Sequence, residues 1–325
     1  MTGPGDRGRS ARWRREGLVL APPADHAWWR SHAQAPTILP LTDRLWRVYF
    51  AAREGQPRSR ILCADIDPGD AFRVLRVHPH PVLELGDTGA FDSHGMGPAT
   101  ALLCGDKVHL YYTGIVTRSD IPYQLAIGLG ISDDGLHFRR VTDGPLLSTG
   151  PRDPLFVTTP CVRPTGDGFE MWYASGVDWR HVDGTLEPFY VLRHTHSADG
   201  VIWSLASELA LGHVSEQDAG LARPWVAAQA DGRRLWYSRR GADRFRRPGA
   251  ASYRLYQATI NKDGMLKASE GPVMFENPPL PSDWDGWMQS YACIQPLGDD
   301  LIMLYNGDDF GRGGFGCARL PGGTA

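Results

Sequence analysis

The stretch TTPCVRP at residues 158–164 is one of five related segments, and their spacing decides the fold. The others are AQAPTIL (33–39), MGPATAL (96–102), ARPWVAA (222–228) and SYACIQP (290–296). Each runs apolar–small–Pro–x–apolar, with Ala292 in place of proline in the last. The reference positions Pro36, Pro98, Pro160, Pro224 and Ala292 are 62, 62, 64 and 68 residues apart. A period of that size marks one supersecondary unit used repeatedly.

About ten residues beyond each reference position comes an aromatic-rich run: RLWRVYFAAR, KVHLYYTGI, FEMWYASG, RLWYSRR and LIMLYNGD, with Tyr49, Tyr112, Tyr173, Tyr237 and Tyr305 in equivalent places. Aromatic and β-branched residues bounded by Gly and Asp are strand-forming. Third strands follow as RSRILCADI, LAIGLGIS, YVLRHTHS, YRLYQATI and GFGCARL. Three of them end in Asp-Gly turns, Ser132–Gly135, Ser197–Gly200 and Asn261–Gly264, which suit tight reversals. Phe138 and Trp203 open fourth strands. No segment sustains helical periodicity over three turns. Five copies of four short antiparallel strands predict an all-β, five-bladed β-propeller occupying residues 18–320. Residues 1–17, basic and not followed by an apolar run, read as a disordered leader, and 321–325 as a flexible tail.

A formal net charge of −3 gives no global field that would favour nucleic acid or a membrane surface. No run approaches the length of a membrane span. The five cysteines lie in strand-like segments without metal-ligand spacing, so they read as reduced core residues of a cytoplasmic protein with no metal and no cofactor. The composition leaves the oligomeric state open.

The segments HAQAPTI, FDSHGMGP, DPLFVTTPCV, ARPWV and YNGDDFGRGGFG together resemble the furanosidase-type propeller superfamily. This comprises glycoside hydrolase family 43 with the invertases and levansucrases, and the chain is most similar to bacterial family-43-like proteins of uncertain activity. The resemblance spans roughly residues 28 to 318.

Four innermost strands are preceded by an acid: Asp92, Asp153, Glu216 and Asp285 lie six, seven, eight and seven residues before Pro98, Pro160, Pro224 and Ala292. Acids recurring at one structural place in different blades are expected to meet around the axis. Glycosidic chemistry needs such a pair, one protonated and one ionised. The resemblance implies more specific roles: Arg152-Asp153-Pro154 matches the triplet whose aspartate tunes the acid, and Glu216 falls near the general acid. Relatives start the first inner strand with an aspartate base or nucleophile. Here His32 and Gln34 stand near that place, so His32 is a candidate base, while Asp92 or Asp285 could supply the missing charge.

Candidate substrate-binding residues are Gln34, His94, Arg152, Thr159, Arg223 and Tyr291, with Trp179, Trp284 and Trp287 as sugar-stacking platforms in predicted loops. Arg223 either binds substrate or holds Glu216 or Asp153. The arginine-rich stretch Arg239–Arg247 reads as a solvated loop. The expected function is that of an intracellular glycosidase-like enzyme acting on a small sugar conjugate, nucleoside or biosynthetic precursor. The alternatives are a non-hydrolytic acid–base reaction on the same scaffold, and an inactive carbohydrate-binding propeller.

Overall fold

A computed structural model of the chain describes residues 12–55, 58–229, 232–249, 251–261 and 266–323. The chain is all-β and built from four-stranded antiparallel units, in keeping with a propeller. It opens with β1 (Arg14–Leu20). The first complete sheet is β2 (Ser31–Thr42), β3 (Leu45–Arg53), β4 (Ser59–Asp67) and β5 (Arg73–Val77), in that order. The next is β6 (Gly95–Cys104), β7 (Lys107–Val116), β8 (Gln124–Ser132) and β9 (Arg139–Arg140). Then come β10 (Val157–Thr165), β11 (Gly168–Val182) and β12 (Thr185–Ser197), with β13 (Glu208–Leu211) on the outside. They are followed by β14 (Asp218–Gln229), β15 (Gly232–Gly241), β16 (Arg254–Ile260) and β17 (Leu266–Ala268). Among the described residues, one parallel backbone bridge, Tyr190 to Gly220, joins the ladders of these two units. The last sheet is β18 (Ser290–Leu297), β19 (Asp300–Asn306) and β20 (Phe315–Leu320), completed on its outer edge by β1.

That pairing, with Arg14 opposite Arg319 and Leu20 opposite Phe315, corrects the leader boundary. Residues 14–17 are strand, and Trp13 is buried in a bridge to Phe275; residues 1–11 lie outside the described residues. At the other end, the carbonyl of Gly323 accepts from Gln229 Nε2, and residues 324–325 lie outside the described residues.

The local rules read from the sequence operate as expected at two turns. Ser132 Oγ accepts from the backbone N–H of Gly135 while Asp134 Oδ1 accepts from Leu136 and His137. Ser197, Gly200, Asp199, Val201 and Ile202 repeat this arrangement. Gly135 and Gly200 take positive φ (70° and 76°), the conformation that makes glycine favourable there. Each turn is also tied to the preceding unit: Tyr49 donates to the Gly135 carbonyl and Tyr111 to that of Gly200. Of the third expected turn, Lys262–Gly264 lie outside the described residues.

The five first strands converge. Ile38 N–H points at Cys293 Sγ, Thr100 Oγ1 donates to the Pro160 carbonyl, Val226 N–H meets Cys161 Sγ, and Trp225 Nε1 donates to the Ile294 carbonyl. In four of them the residue at the proline-preceding position has positive φ: Ala35 (56°), Thr159 (51°), Arg223 (52°) and Tyr291 (58°). Each lies at a register shift against the neighbouring strand. A repeated bulge of this kind turns the strand and re-aims the side chains beside it.

Candidate functional site

A cavity of about 180 Å³ opens where the first strands converge. The bulges deliver its floor: Gln34 and Ala35 from β2, Gly97 and Pro98 from β6, Thr158 and Thr159 from β10, Ala222 from β14, and Tyr291 from β18. Its walls come from second and third strands and the turns that lead into them, including Thr113, Tyr123, Tyr190 and Tyr253, together with Phe156 just before β10. Of the residues expected to bind substrate, Gln34, Thr159 and Tyr291 therefore line one cavity.

The cavity wall holds a hydrogen-bonded phenol pair, Tyr190 and Tyr253. Arg240 Nε donates to the Tyr190 oxygen at 3.1 Å, and its other nitrogens donate to the carbonyls of Gly241 and Pro188. Its guanidinium lies 3.8 Å from the Phe245 ring centre. Only 2% exposed, Arg240 stands behind this wall at the end of β15, which corrects the expectation of a solvated loop at Arg239 and Arg240, while Arg244, Arg246 and Arg247 are exposed as expected. Burial pushes the phenols of Tyr123, Tyr253 and Tyr291 well above the ordinary tyrosine value. They carry their protons at neutral pH and so serve as hydroxyl donors.

The expected carboxylates do not meet here. Asp92 is fully buried, accepts from the Tyr112 hydroxyl at 2.8 Å, and is paired with Arg140 at 2.7 Å. Asp153 accepts from the Tyr173 hydroxyl, with Arg193 at 3.7 Å. Asp285 accepts from Tyr305 at 2.6 Å and is paired with Arg15. Each partner belongs to a second, third or outermost strand of the acid's own unit, so the acids pin the entering loop to the middle and rim of the sheet. Glu216 is exposed on the loop before β14. The buried acid of that unit is Asp218, which is paired with Arg239 at 2.7 Å. Among the described residues, no carboxylate lines the cavity.

Other expectations also move. Arg223 is 1% exposed and holds no carboxylate; its two terminal nitrogens donate to the carbonyls of Pro98 and Pro36 and to Thr37 Oγ1. It ties first strands together below the cavity. His32 is buried, and burial together with the charges of Arg53 and Arg312 brings its pKa down to about 3, which makes it a weak base near neutrality. Arg152 is exposed beside Asp153, and exposed His94 accepts from the Thr117 N–H. Trp179 lies in β11, not in a loop, and packs edge-on against Tyr123 at 5.4 Å behind the cavity wall. Trp284 covers the Tyr305 ring, and the Trp287 N–H is held by Asp308, so neither lines the cavity.

The wall tyrosines had a visible signal. Tyr190 and Tyr253 are the first residues of the third-strand runs YVLRHTHS and YRLYQATI, and Tyr123 lies two residues before LAIGLGIS. The start of a third strand faces the same opening as the bulge of the first.

The fold and this axial cavity place the chain among glycoside-hydrolase-like propeller folds. One solved structure described as a glycoside hydrolase superposes with a TM-score of 0.74 at 16% identity, covering 95% of this chain and 92% of that one. Another, from work on the GH130 family of mannoside phosphorylases and glycoside hydrolases targeting β-1,2-mannosidic linkages of Candida mannan, gives 0.70 at 13% identity, covering 99% and 97%. At these identities the likeness is one of fold. By sequence, the chain belongs to the family of uncharacterized protein Rv1502 of Mycobacterium tuberculosis. The two are 33% identical over 312 residues, covering 95% of this chain and 99% of the relative. No family model matches the chain.

Proposed function

We propose that the chain is a five-bladed, closed propeller of the glycosidase type whose axial cavity takes a small sugar-like molecule. The closure of the last sheet by β1 and the hydrogen bonds among the five first strands support the five-bladed reading. The observation that carries the ligand class is the cavity lining: Gln34, Thr113, Thr158, Thr159 and four tyrosines set neutral donors and acceptors on aromatic walls. A sugar presents the complementary surface, hydroxyls around its edge and C–H groups on its faces. The kinship with family 43 and the invertases belongs to this reading, as does a cytoplasmic location, which the five free cysteines support.

Recognition is the reading the geometry favours. Two-carboxylate hydrolysis needs an acid and a base about 5–9.5 Å apart across the bound sugar, and Asp92, Asp153 and Asp285 are held in tyrosine and arginine contacts instead. A second reading, turnover without carboxylates, has one observation in its favour. The Tyr190–Tyr253 pair beside Arg240 places phenolic protons next to a buried cation at the cavity wall, an arrangement suited to proton transfer in an elimination or cyclisation.

The test is calorimetric titration of a panel of mono- and disaccharides and nucleosides, with each mixture followed by NMR for product. Binding abolished by Tyr291→Ala supports the cavity as the site. Turnover lost in Tyr190→Phe but kept in Asp153→Asn selects the second reading. Turnover lost in a folded Asp153→Asn protein restores carboxylate hydrolysis and overturns the assignment.

A further inference from the structure

Three arginines, Arg53, Arg246 and Arg312, lie near enough to one another beside the cavity for their charges to interact. Arg53 follows cavity-lining Ala51 by two residues on β3, so both side chains project from the same face of the strand. Its register partner across the ladder is Ser59, which also lines the cavity. The Arg53 side chain is half-buried, yet among the described residues it has no hydrogen bond and no ion pair. Burial lowers its pKa, and the charges of Arg312 and Arg246 act in the same direction against an opposing influence of Tyr291. Arg312 likewise has no carboxylate among the described residues. Arg246 is held by both oxygens of Glu187 at 2.9 Å, and Arg240 by phenol and carbonyl oxygens.

A guanidinium that is half-buried, next to like charges and without a counterion is costly in the free protein. The cost is recovered when an anion arrives, and a planar fork of N–H donors suits a carboxylate or a phosphate. Elsewhere in this chain arginines facing the interior have found acids: Arg15 with Asp285, Arg47 with Asp65, Arg140 with Asp92 and Arg239 with Asp218. Others, Arg223 and Arg240, are satisfied by carbonyl and hydroxyl oxygens; among the described residues the Arg53 side chain has neither kind of partner.

We propose that the ligand of this cavity is a sugar bearing an anionic group, a carboxylate or a phosphate ester, which is received by Arg53 and Arg312 while the ring lies against the tyrosines. This rests on the cavity being a sugar site. Arg53 is the specificity-determining residue. Arg312, at the outer margin, adds attraction that falls with ionic strength.

The experiment is titration of the full-length protein with D-glucose, D-galactose, D-glucuronate, D-galacturonate, D-glucose 1-phosphate, D-galactose 1-phosphate and inorganic phosphate, at low and high salt. The Arg53→Gln and Arg53→Lys variants are run beside the wild type, and thermal unfolding checks that they fold. At least one anionic sugar should bind more tightly than its neutral parent by about tenfold or more, the scale of a charge-assisted hydrogen bond. Arg53→Gln should remove that margin and leave the neutral sugar unchanged, and Arg53→Lys should keep part of it. A uronate preference assigns a carboxylate, and a sugar-phosphate preference a phosphate ester. Equal affinity for charged and neutral sugars, indifferent to Arg53, overturns the anionic inference and leaves the sugar site standing. Inorganic phosphate binding as tightly as the sugar phosphates overturns it as well, because the anion would then be separate from the sugar. If no sugar of the panel binds in a Tyr291-dependent way, the underlying sugar-site reading fails.

Discussion

The Tyr173 hydroxyl lies 3.1 and 3.0 Å from the two carboxylate oxygens of Asp153 and bonds to both, in a buried setting. The same relation recurs between Asp92 and Tyr112 and between Asp285 and Tyr305. In every case the tyrosine follows the aspartate by twenty residues. A fixed spacing in these three units means that the pair serves the unit. The loop arriving from the outer edge is fastened to the second strand before the chain turns into the first.

These clamps should therefore govern stability and leave binding alone. Asp285→Asn takes one acid from Arg15, which keeps Asp283 at 2.9 Å, so it should destabilise the protein by about 1–3 kcal/mol, the scale of a weakened charge-assisted hydrogen bond in a buried setting. Tyr173→Phe removes only a neutral donor and should cost about 1–2 kcal/mol. Urea unfolding measures both, and affinity for the cavity ligand should be unchanged in each folded variant. A selective loss of affinity or turnover in Asp153→Asn, with the urea midpoint unmoved, would return that aspartate to the active site.

Arg223 joins the carbonyls of Pro36 and Pro98, 62 residues apart in sequence, through two different nitrogens. Lysine carries the same charge on a single nitrogen and has no planar fork. Arg223→Lys should lower stability by about 2–4 kcal/mol, because a buried carbonyl loses its donor. Hydrogen exchange of the β2 and β6 amides should quicken together. Unchanged exchange in both strands would show that the first strands hold their positions without this residue.

The repeat was legible because it is written in residues that hold equivalent strand positions each time: the prolines at 36, 98, 160 and 224 and the buried tyrosines at 49, 112, 173, 237 and 305. The acids were legible as a repeat and misread as a site. Their distance from the proline suggested the axis, while for Asp92, Asp153 and Asp285 the constant twenty residues to the next tyrosine pointed to the interior of the unit. The cavity was only partly visible, through Gln34, Thr159 and Tyr291. Its remaining wall breaks the repeat: counted from the residue opposite each second-strand tyrosine, the places of Tyr190 and Tyr253 are held by Leu125 and Arg60 in the units of β6–β9 and β2–β5. A surface that received an asymmetric molecule would have to differ from unit to unit, so periodicity finds the scaffold and passes over what sits on it.

Ala35 lies at φ 56°, in a conformation that costs a residue with a Cβ about 1–2 kcal/mol. Its N–H is held there by Asn306 Oδ1 at 2.7 Å. In an ordinary strand, Ala→Gly loses about 0.5–1 kcal/mol through the extra freedom of the unfolded chain. At position 35 the relief of strain should offset that loss, so Ala35→Gly should unfold at the same urea concentration as the wild type or a higher one. Ala33→Gly, two residues back and without positive φ, is the control and should be less stable. If both lose stability equally, the bulge at Ala35 is relaxed.

His32 provides a test by pH. Burial, then Arg53 and Arg312, bring its pKa down to about 3 from an ordinary 6.5, and its ring shares a 2.9 Å hydrogen bond with Ser31. Between those values the unfolded chain binds a proton at this residue and the native protein does not. The contribution is therefore intact above pH 6.5 and is lost as pH falls toward 3, with a slope approaching 1.4 kcal/mol per pH unit for one proton. Carboxylates titrate in the lower part of the same range, so the informative quantity is the difference between wild type and His32→Gln. Wild type should lose stability faster than the variant from pH 6.5 downward, measured by urea unfolding at half-unit steps. Arg53→Gln should raise the His32 pKa, seen as an earlier titration of its ring proton by NMR. Parallel stability curves for wild type and His32→Gln would mean that the native protein protonates His32 near its ordinary pKa, and that the positive field assigned to this side of the cavity is absent.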